Sequence, residues 1–492
     1  MKTCVIVGGG IGGLVTGALL AKEGYKVTVL EKNAIIGGGL QSFKRNGVSF
    51  PTGMHVFGGF QEDGNLWKIF DYLGVTSQIS LKPTDEDVND AAIFIGHGVT
   101  YRLPKGKEQF VAYLSEKFPT EREHIKAYID RLFELTEEED LFYLHETSDL
   151  ALSHSDDFLG SMKELMDKYL ADPMLKSLLN YLEPLMGGDA ATTPAYIHAL
   201  LSSLHINGTF QFVGESQQMA DALVRVIESA GGQVVANQEV VQINVGNKQV
   251  KQVVTKKGSV FQADTYISAV HPDVLLKVID NQAFTTAFKD RIHSVPETMS
   301  SFKVFVKLKK DTFRYLNHPT FCIANGNNWP QSLMFVTPPV MNQGEFAETM
   351  VVICPMDFEH VKTWEHTKTG HRGESYALWK QDKMDKVLDF IEMQFPDFRQ
   401  CIDFCFAASP LTIRDYYGNK DGSNYGFRKE CNNLMLSQMS VQTKVKNLFL
   451  TGQNVNIHGL CGVSLTAIET AEAIVGRNTI VHKINKFCPN HP

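Results

Sequence analysis

The chain has no surplus of positive charge: across 492 residues, 47 lysines and arginines face 55 aspartates and glutamates, for a formal net charge of -8. Binding to a phosphate backbone needs clustered cations that displace counterions, so nucleic acid is not an expected partner. The acidic runs at residues 136–140 and 85–87 read as solvated surface rather than binding patches. Cysteine is also sparse. The eight thiols are scattered, only Cys401 and Cys405 lie close together, and neither CxxC nor a zinc-like spacing occurs. That pattern excludes a disulfide scaffold, gives no metal site and fits a reduced, cytoplasmic compartment. No stretch reaches the ~18 uninterrupted apolar residues of a membrane-spanning helix, although attachment to a membrane surface through an amphipathic face stays open. The first residues run directly into a strand, without the charged and apolar layout of a secretory signal. No repeat, low-complexity tract or flexible linker is present, and no Ser/His/Asp triad or carboxylate pair stands out.

Glycine is what the chain has, and position explains it. Thr3–Val7 reads as a strand, residues 8–13 as a glycine turn, the stretch carrying Leu14, Ala18 and Ala21 as a helix, and Lys26–Leu30 as a second strand. Gly8, Gly10 and Gly13 give GxGxxG between strand and helix. The first glycine makes the tight turn, the second admits a pyrophosphate, and the third lets helix and strand pack closely. Amides at the helix start, including those of Ile11 and Gly12, then face the phosphates. Glu31, followed by Lys32, ends the second strand where a carboxylate accepts hydrogen bonds from a ribose diol and disfavours a 2'-phosphate. A second glycine loop, Gly37-Gly38-Gly39-Leu40-Gln41-Ser42, follows so soon that it closes over the pyrophosphate. This feature points to FAD rather than NAD.

A helical pattern with Met219, Leu223, Val226 and Ile227 begins after Gly214 and stops at Gly231-Gly232. Strand-like runs follow at 233–237, 239–245, 249–255 and 265–270, the second including Val240. Residues 447–452 read as a buried strand and 463–475 as a helix. The predicted fold class is therefore α/β: a discontinuous Rossmann-like FAD-binding domain from residues 1–80, 206–285 and 441–492. An α+β substrate domain with a mixed sheet and a helical cap takes residues 81–205 and 286–440, with its helical part at about 107–200.

These features resemble the flavin amine oxidase superfamily, in particular its branch of phytoene desaturases, carotenoid cis-trans isomerases and retinol saturases. Besides the two glycine loops, the resemblance rests on Phe50-Pro51-Thr52-Gly53-Met54-His55 and on Met186-Gly187-Gly188-Asp189 with Thr192-Thr193-Pro194-Ala195-Tyr196. It continues through the ordered pattern of 214–272, the segments Ser409-Pro410-Leu411-Thr412, Tyr417-Gly418, Gly422-Ser423 and Tyr425-Gly426, and Thr451-Gly452-Gln453-Asn454 with Gly459 and Gly462. Two departures stand out. Gly39 replaces the arginine that many desaturases carry, and Gln453 or Asn454 stands where many flavoproteins hold the ribityl chain with an acidic residue.

The resemblance implies FAD held by Gly8, Gly10, Ile11, Gly12, Gly13, Glu31, Lys32, Gly38, Gly39, Leu40, Ser42, Val240, Gly452, Gln453, Gly462 and Val463. It implies hydride exchange with carbon–carbon bonds of a hydrophobic polyene or isoprenoid lipid, by desaturation, saturation or isomerisation. His55 and His458 are the candidate catalytic residues, and Tyr417 and Tyr425 the candidate substrate wall. Cys461 reads as a packed, inert thiol. The helix expected from Val463 points its amino terminus at the flavin. Only one complete fingerprint is present, so no separate nicotinamide domain is expected, and the electron partner is left among a soluble carrier, a quinone and oxygen. An amine oxidase and a prenyl-lipid escort protein without flavin are the competing readings; the intact Gly8, Gly10, Gly13 and Glu31 set weighs against the escort.

Overall fold

A computed structural model describes the whole chain except residues 148–153, 325, 327 and 489–492, and the parts of the expected domain segments that fall there lie outside the described residues. A five-stranded parallel sheet runs in the order Gln233–Val235, Lys26–Leu30, Thr3–Val7, Thr265–Ser268, Leu448–Leu450. In the strand Thr3–Val7, residues 4–7 are all apolar and buried because both faces are covered. Cys4 and Ile6 pack with Leu14, Val15, Ala18 and Leu19 of the helix Ile11–Lys22, while Val5 and Val7 meet Ile243, Val250 and Val253 of an antiparallel three-stranded sheet. Two further helices, Gln217–Ser229 and Gly459–Val475, pack against Ile11–Lys22.

A seven-stranded mixed sheet runs in the order Ile402–Ala408, Ser300–Leu308, Thr349–Met356, Ser332–Val336, Thr320–Ala324, Asp90–Ile95, Val99–Leu103. Alternation along Ser300–Leu308 sends Phe302, Val304 and Val306 to one face, where they pack with Val387, Leu388 and Ile391 of the helix Glu374–Glu392. Phe305 and Lys303 take the other face, against Phe50 and Thr52 respectively. Helices Arg122–Glu137, Met162–Tyr169 and Ala195–Ile206 form the cap.

The fold class is the α/β arrangement expected from the sequence. Two features differ from expectation. The carboxyl-terminal helix begins at Gly459 rather than Val463, since Gly459 takes φ +76°, and a short sheet of Phe57–Gly58, Thr209–Phe212 and Leu81–Pro83 joins the cap to the loop carrying His55. Among the described residues no single helix is long and apolar enough to cross a membrane.

Candidate active site

One cavity of about 2150 Å3 is shared by the parallel sheet, the mixed sheet and the cap. Ordinary small-molecule pockets span roughly 300–1,000 Å3, so this one has room for a dinucleotide and a second ligand. Gly8, Gly10, Ile11, Gly12, Glu31, Lys32, Gly38, Gly39 and Val240 all line it.

The Glu31 carboxylate is buried and accepts the Gly9 amide at 2.8 Å and the Asn33 amide at 2.8 Å. It is thereby aimed into the cavity with acceptor capacity left for a ribose diol. Gly10 caps the first helix without a side-chain cap, so the first-turn amides await an anion. A Cβ at Gly10 would meet nothing within 4 Å, whereas one at Gly13 would lie 2.0 Å from the Gly8 carbonyl oxygen. Gly10 therefore leaves open space at the cavity, and Gly13 serves helix–strand packing. The second glycine loop closes on the first through the Gly37 amide, which donates to the Gly9 carbonyl at 2.8 Å.

Three expected cofactor residues do not line the cavity. Gly13 is spent on packing, Leu40 is 1% exposed in the apolar core, and Ser42 opens a hairpin with its hydroxyl 3.4 Å from that of Ser216. Lys32 does line it, and its ammonium donates to the Asp415 carbonyl at 3.3 Å. Asn33 donates to the Tyr416 carbonyl at 3.0 Å, so residues 415–416 latch onto this end of the site.

Gly452, Gln453, Gly462 and Val463 line the cavity from the carboxyl-terminal segment. A Cβ on Gly12 would come within 2.9 Å of the Gly452 Cα, which makes both glycines necessary where the two segments meet. Gly462 packs on its own turn, its ideal Cβ lying 2.6 Å from Ile457, while the space beside Gly459 is open. The amides at this helix start are therefore those following His458, four residues earlier than expected. The Asn454 amide oxygen accepts the Phe427 N–H at 2.9 Å, which leaves Gln453 as the free side chain of the pair.

His55 lines the cavity, but both its ring nitrogens are sealed from solvent without a partner. Burial, with a smaller contribution from the Lys303 ammonium, pushes its imidazole down to about 3. The ring is neutral near pH 7 and no protein group hydrogen-bonds either nitrogen, so any proton transfer by His55 would have no relay from the protein. His458 donates from Nε2 to the Leu185 carbonyl at 2.9 Å, and burial pushes it down to about 4. Its ring stacks on Tyr425, centroids 4.4 Å apart, so one face of Tyr425 is taken. The Tyr417 hydroxyl is buried without a partner over the second glycine loop and Gly53, 2.6 Å from the ideal Gly53 Cβ. Cys461 lines the cavity as a buried thiol that accepts from the Asn65 amide at 3.3 Å, and burial pushes it up to about 12.

Residues 11–341 match the flavin containing amine oxidoreductase family. The chain belongs to that family. It is an FAD-dependent oxidoreductase, and the groups described above fit the cofactor: an open glycine at an uncapped helix start, an aimed carboxylate, and orphaned polar atoms at His55 and Tyr417. An all-trans-retinol 13,14-reductase from Rattus norvegicus is 25% identical over 527 residues, covering 96% of this chain and 86% of the rat protein. The 4,4'-diaponeurosporene oxygenase of Staphylococcus aureus (strain MW2) is 24% identical over 503 residues, covering 97% and 98%. Among solved structures, an oxidoreductase from Methanosarcina mazei superposes with a TM-score of 0.67 at 15% identity, covering 96% of this chain and 100% of that one. Wild-type putrescine oxidase bound to putrescine gives 0.64 at 15% identity, covering 97% and 99%. At such identities the structures share the fold.

Sequence reasoning missed Lys303. It is buried in the strand Ser300–Leu308, lines the cavity and donates to the Thr52 carbonyl at 2.8 Å. Burial pushes its ammonium down to about 8, within reach of proton exchange near neutral pH. The available signal was a lysine between Phe302 and Val304 in a run whose neighbours are all core.

Proposed function

We propose that this oxidoreductase acts on carbon–carbon bonds of a retinoid- or carotenoid-like polyene. The observation that carries this reading is the apolar part of the cavity wall. Ile197, Leu200, Leu201 and Leu204 from one cap helix, with Met334 and Ile353 from the mixed sheet, line the same cavity as the glycine loops. Such a wall suits a long hydrocarbon whose reacting bond lies against the cofactor. Relatives covering nearly the whole chain are named for a retinol and a carotenoid-type substrate.

FAD, when bound, supplies hydride exchange at carbon. The protein's part is to exclude water, orient the polyene and handle one proton. Of the three groups His55, His458 and Lys303, the Lys303 Nζ is the one that exchanges a proton near neutral pH, since burial holds both imidazoles neutral. Reduction of a double bond would consume a proton from it, and desaturation would return one. An amine oxidase would need an open aromatic cage, and the stacking of Tyr425 on His458 closes one such face. Withdrawal of a lipid from a membrane surface, which the apolar substrate class supports, and a cytoplasmic location, which the free thiols support, belong to the same proposal; co-sedimentation with lipid vesicles tests the first.

The deciding experiment is anaerobic mixing of the FAD-loaded protein, oxidised or reduced, with polyenes, retinoids and simple amines. Bleaching or restoration of the flavin spectrum by polyenes is expected. Bleaching by amines alone, with hydrogen peroxide released in air, would overturn the proposal, and native protein unable to hold flavin would revive the escort reading.

A further inference from the structure

A polar group follows the apolar stretch of the cavity wall formed by the cap helix. His205 occupies the last turn of the cap helix Ala195–Ile206, beyond Leu201 and Leu204, and contributes to the cavity lining. Its Nδ1 lies 3.1 Å from Asp90 Oδ2 and 3.2 Å from Oδ1, and both side chains are almost wholly buried. The same Asp90 carboxylate accepts the Tyr181 hydroxyl at 3.0 Å and the Asn89 amide at 2.7 Å. Asn89 also donates to the His205 carbonyl at 2.9 Å and accepts from the Thr209 amide at 2.9 Å. The imidazole is therefore fixed by its helix end, by the first residue of the strand Asp90–Ile95 and by the start of the strand Thr209–Phe212. Among the described residues its Nε2 has no partner.

A carboxylate only accepts, so Nδ1 must carry the hydrogen between them, and in the neutral ring Nε2 presents a lone pair. Within apolar surroundings such a lone pair is costly to leave unpaired. A hydroxyl satisfies it as donor, whereas a hydrocarbon, an ether or an ester does not.

We propose that the Asp90–His205 pair binds a free hydroxyl at one end of the polyene and so selects a polyene alcohol. This rests on the polyene reading and deepens it. Anchoring one end also acts as a ruler, because the distance from the hydroxyl decides which double bond lies at the glycine-lined part of the cavity. His205 and Asp90 are specificity and positioning residues; neither takes part in the redox step.

The test uses FAD-loaded protein and three probes: retinol, retinyl methyl ether and the hydrocarbon lacking the oxygen. Dissociation constants are read from perturbation of the flavin spectrum, with kcat and KM for each probe. Wild-type protein should bind the alcohol at least about tenfold tighter than either analogue, because a site built to pair a hydroxyl rejects ligands without one. In His205→Phe, and in the isosteric Asp90→Asn, that ratio should collapse toward one, mainly through KM for the alcohol. A wild-type ratio near one, or a ratio that both variants keep, would overturn the hydroxyl site while leaving polyene chemistry intact. If no polyene perturbs or bleaches the flavin, it is the parent reading that fails. Should His205→Phe not fold, Asp90→Asn and the wild-type ratio decide.

Discussion

The Lys303 ammonium donates to the Thr52 carbonyl at 2.8 Å, tying the strand Ser300–Leu308 of the mixed sheet to the loop that carries Gly53 and His55 into the cavity. Its folded value of about 8 places the protonated form below that pH and the free amine above it. If the protein saturates a double bond, the ammonium is the donor. The rate of reoxidation of reduced flavin by a polyene should then fall as pH rises through about 8. Lys303→Met should abolish that limb and slow the step by roughly a hundredfold, within the usual range for a positioned acid or base. An unchanged limb in stopped-flow traces of the variant would exclude Lys303 as the proton source.

The fingerprint glycines have separable roles, and alanine distinguishes them. Gly10 has φ -77°, which alanine adopts freely, and an ideal Cβ there meets nothing within 4 Å. Gly10→Ala should leave the melting temperature of the flavin-free protein nearly unchanged, within about 0.5 kcal/mol of stability, yet weaken FAD binding because the methyl enters the pyrophosphate's space. Gly13→Ala puts a methyl 2.0 Å from the Gly8 carbonyl oxygen and should destabilise the protein by about 3 kcal/mol or more, with or without flavin. Thermal melts of apo and loaded protein read both effects. Equal loss of apo stability in the two variants would contradict the division.

How much of this was legible in the sequence depends on how local each feature is. The strand, glycine turn, helix and strand of residues 3–30 could be read because their periodicity and turn chemistry are contiguous, and Glu31 followed from its place at the strand end. The start of the carboxyl-terminal helix was missed by four residues. Gly459 begins it at φ +76°, and a glycine-rich start gives no apolar period until Leu460 and Val463. The sheet formed by Phe57–Gly58 and Leu81–Pro83 with Thr209–Phe212 was invisible, since strands of two to four residues are too short to carry a readable alternation. Lys303 and the Asp90–His205 pair were missed for another reason. Their chemistry depends on burial and on partners 251 and 115 residues away, which only the tertiary fold supplies.

Two carboxyls make stability depend on pH. Glu139, just after the cap helix Arg122–Glu137, and Glu469, on the carboxyl-terminal helix, are both raised by burial to about 7, and the Glu469 charge adds to the effect at Glu139. The folded state thus holds protons that the unfolded chain, with carboxyls near 4.5, has released. Their stabilising contribution is complete below about 4.5 and is lost as pH rises through about 7. Glu469→Gln carries no charge at any pH. Its melting temperature should exceed that of wild type by a few degrees at pH 8 and converge with it at pH 4.5. A variant less stable than wild type at pH 8 would mean that the Glu469 anion is favourably partnered in solution.

Glu31 does two jobs with one carboxylate, and a pair of substitutions separates them. Its oxygens hold the Gly9 and Asn33 amides at 2.8 Å each, which shapes the glycine turn, while its remaining acceptor capacity faces the ribose position. Glu31→Ala removes both functions and strands the Gly9 N–H. Leaving such a donor unpaired costs about 1–3 kcal/mol, equivalent to a roughly 5- to 150-fold loss of FAD affinity when the turn is what the cofactor must bind. Glu31→Gln keeps an amide oxygen for one backbone donor but places an NH2 group where a carboxylate oxygen stood. It should retain apo stability better than Glu31→Ala while still releasing FAD during dialysis. Flavin-to-protein ratios after dialysis, with titration of FAD into the stripped protein, measure the outcome. Full occupancy in Glu31→Ala would show that the ribose is held elsewhere.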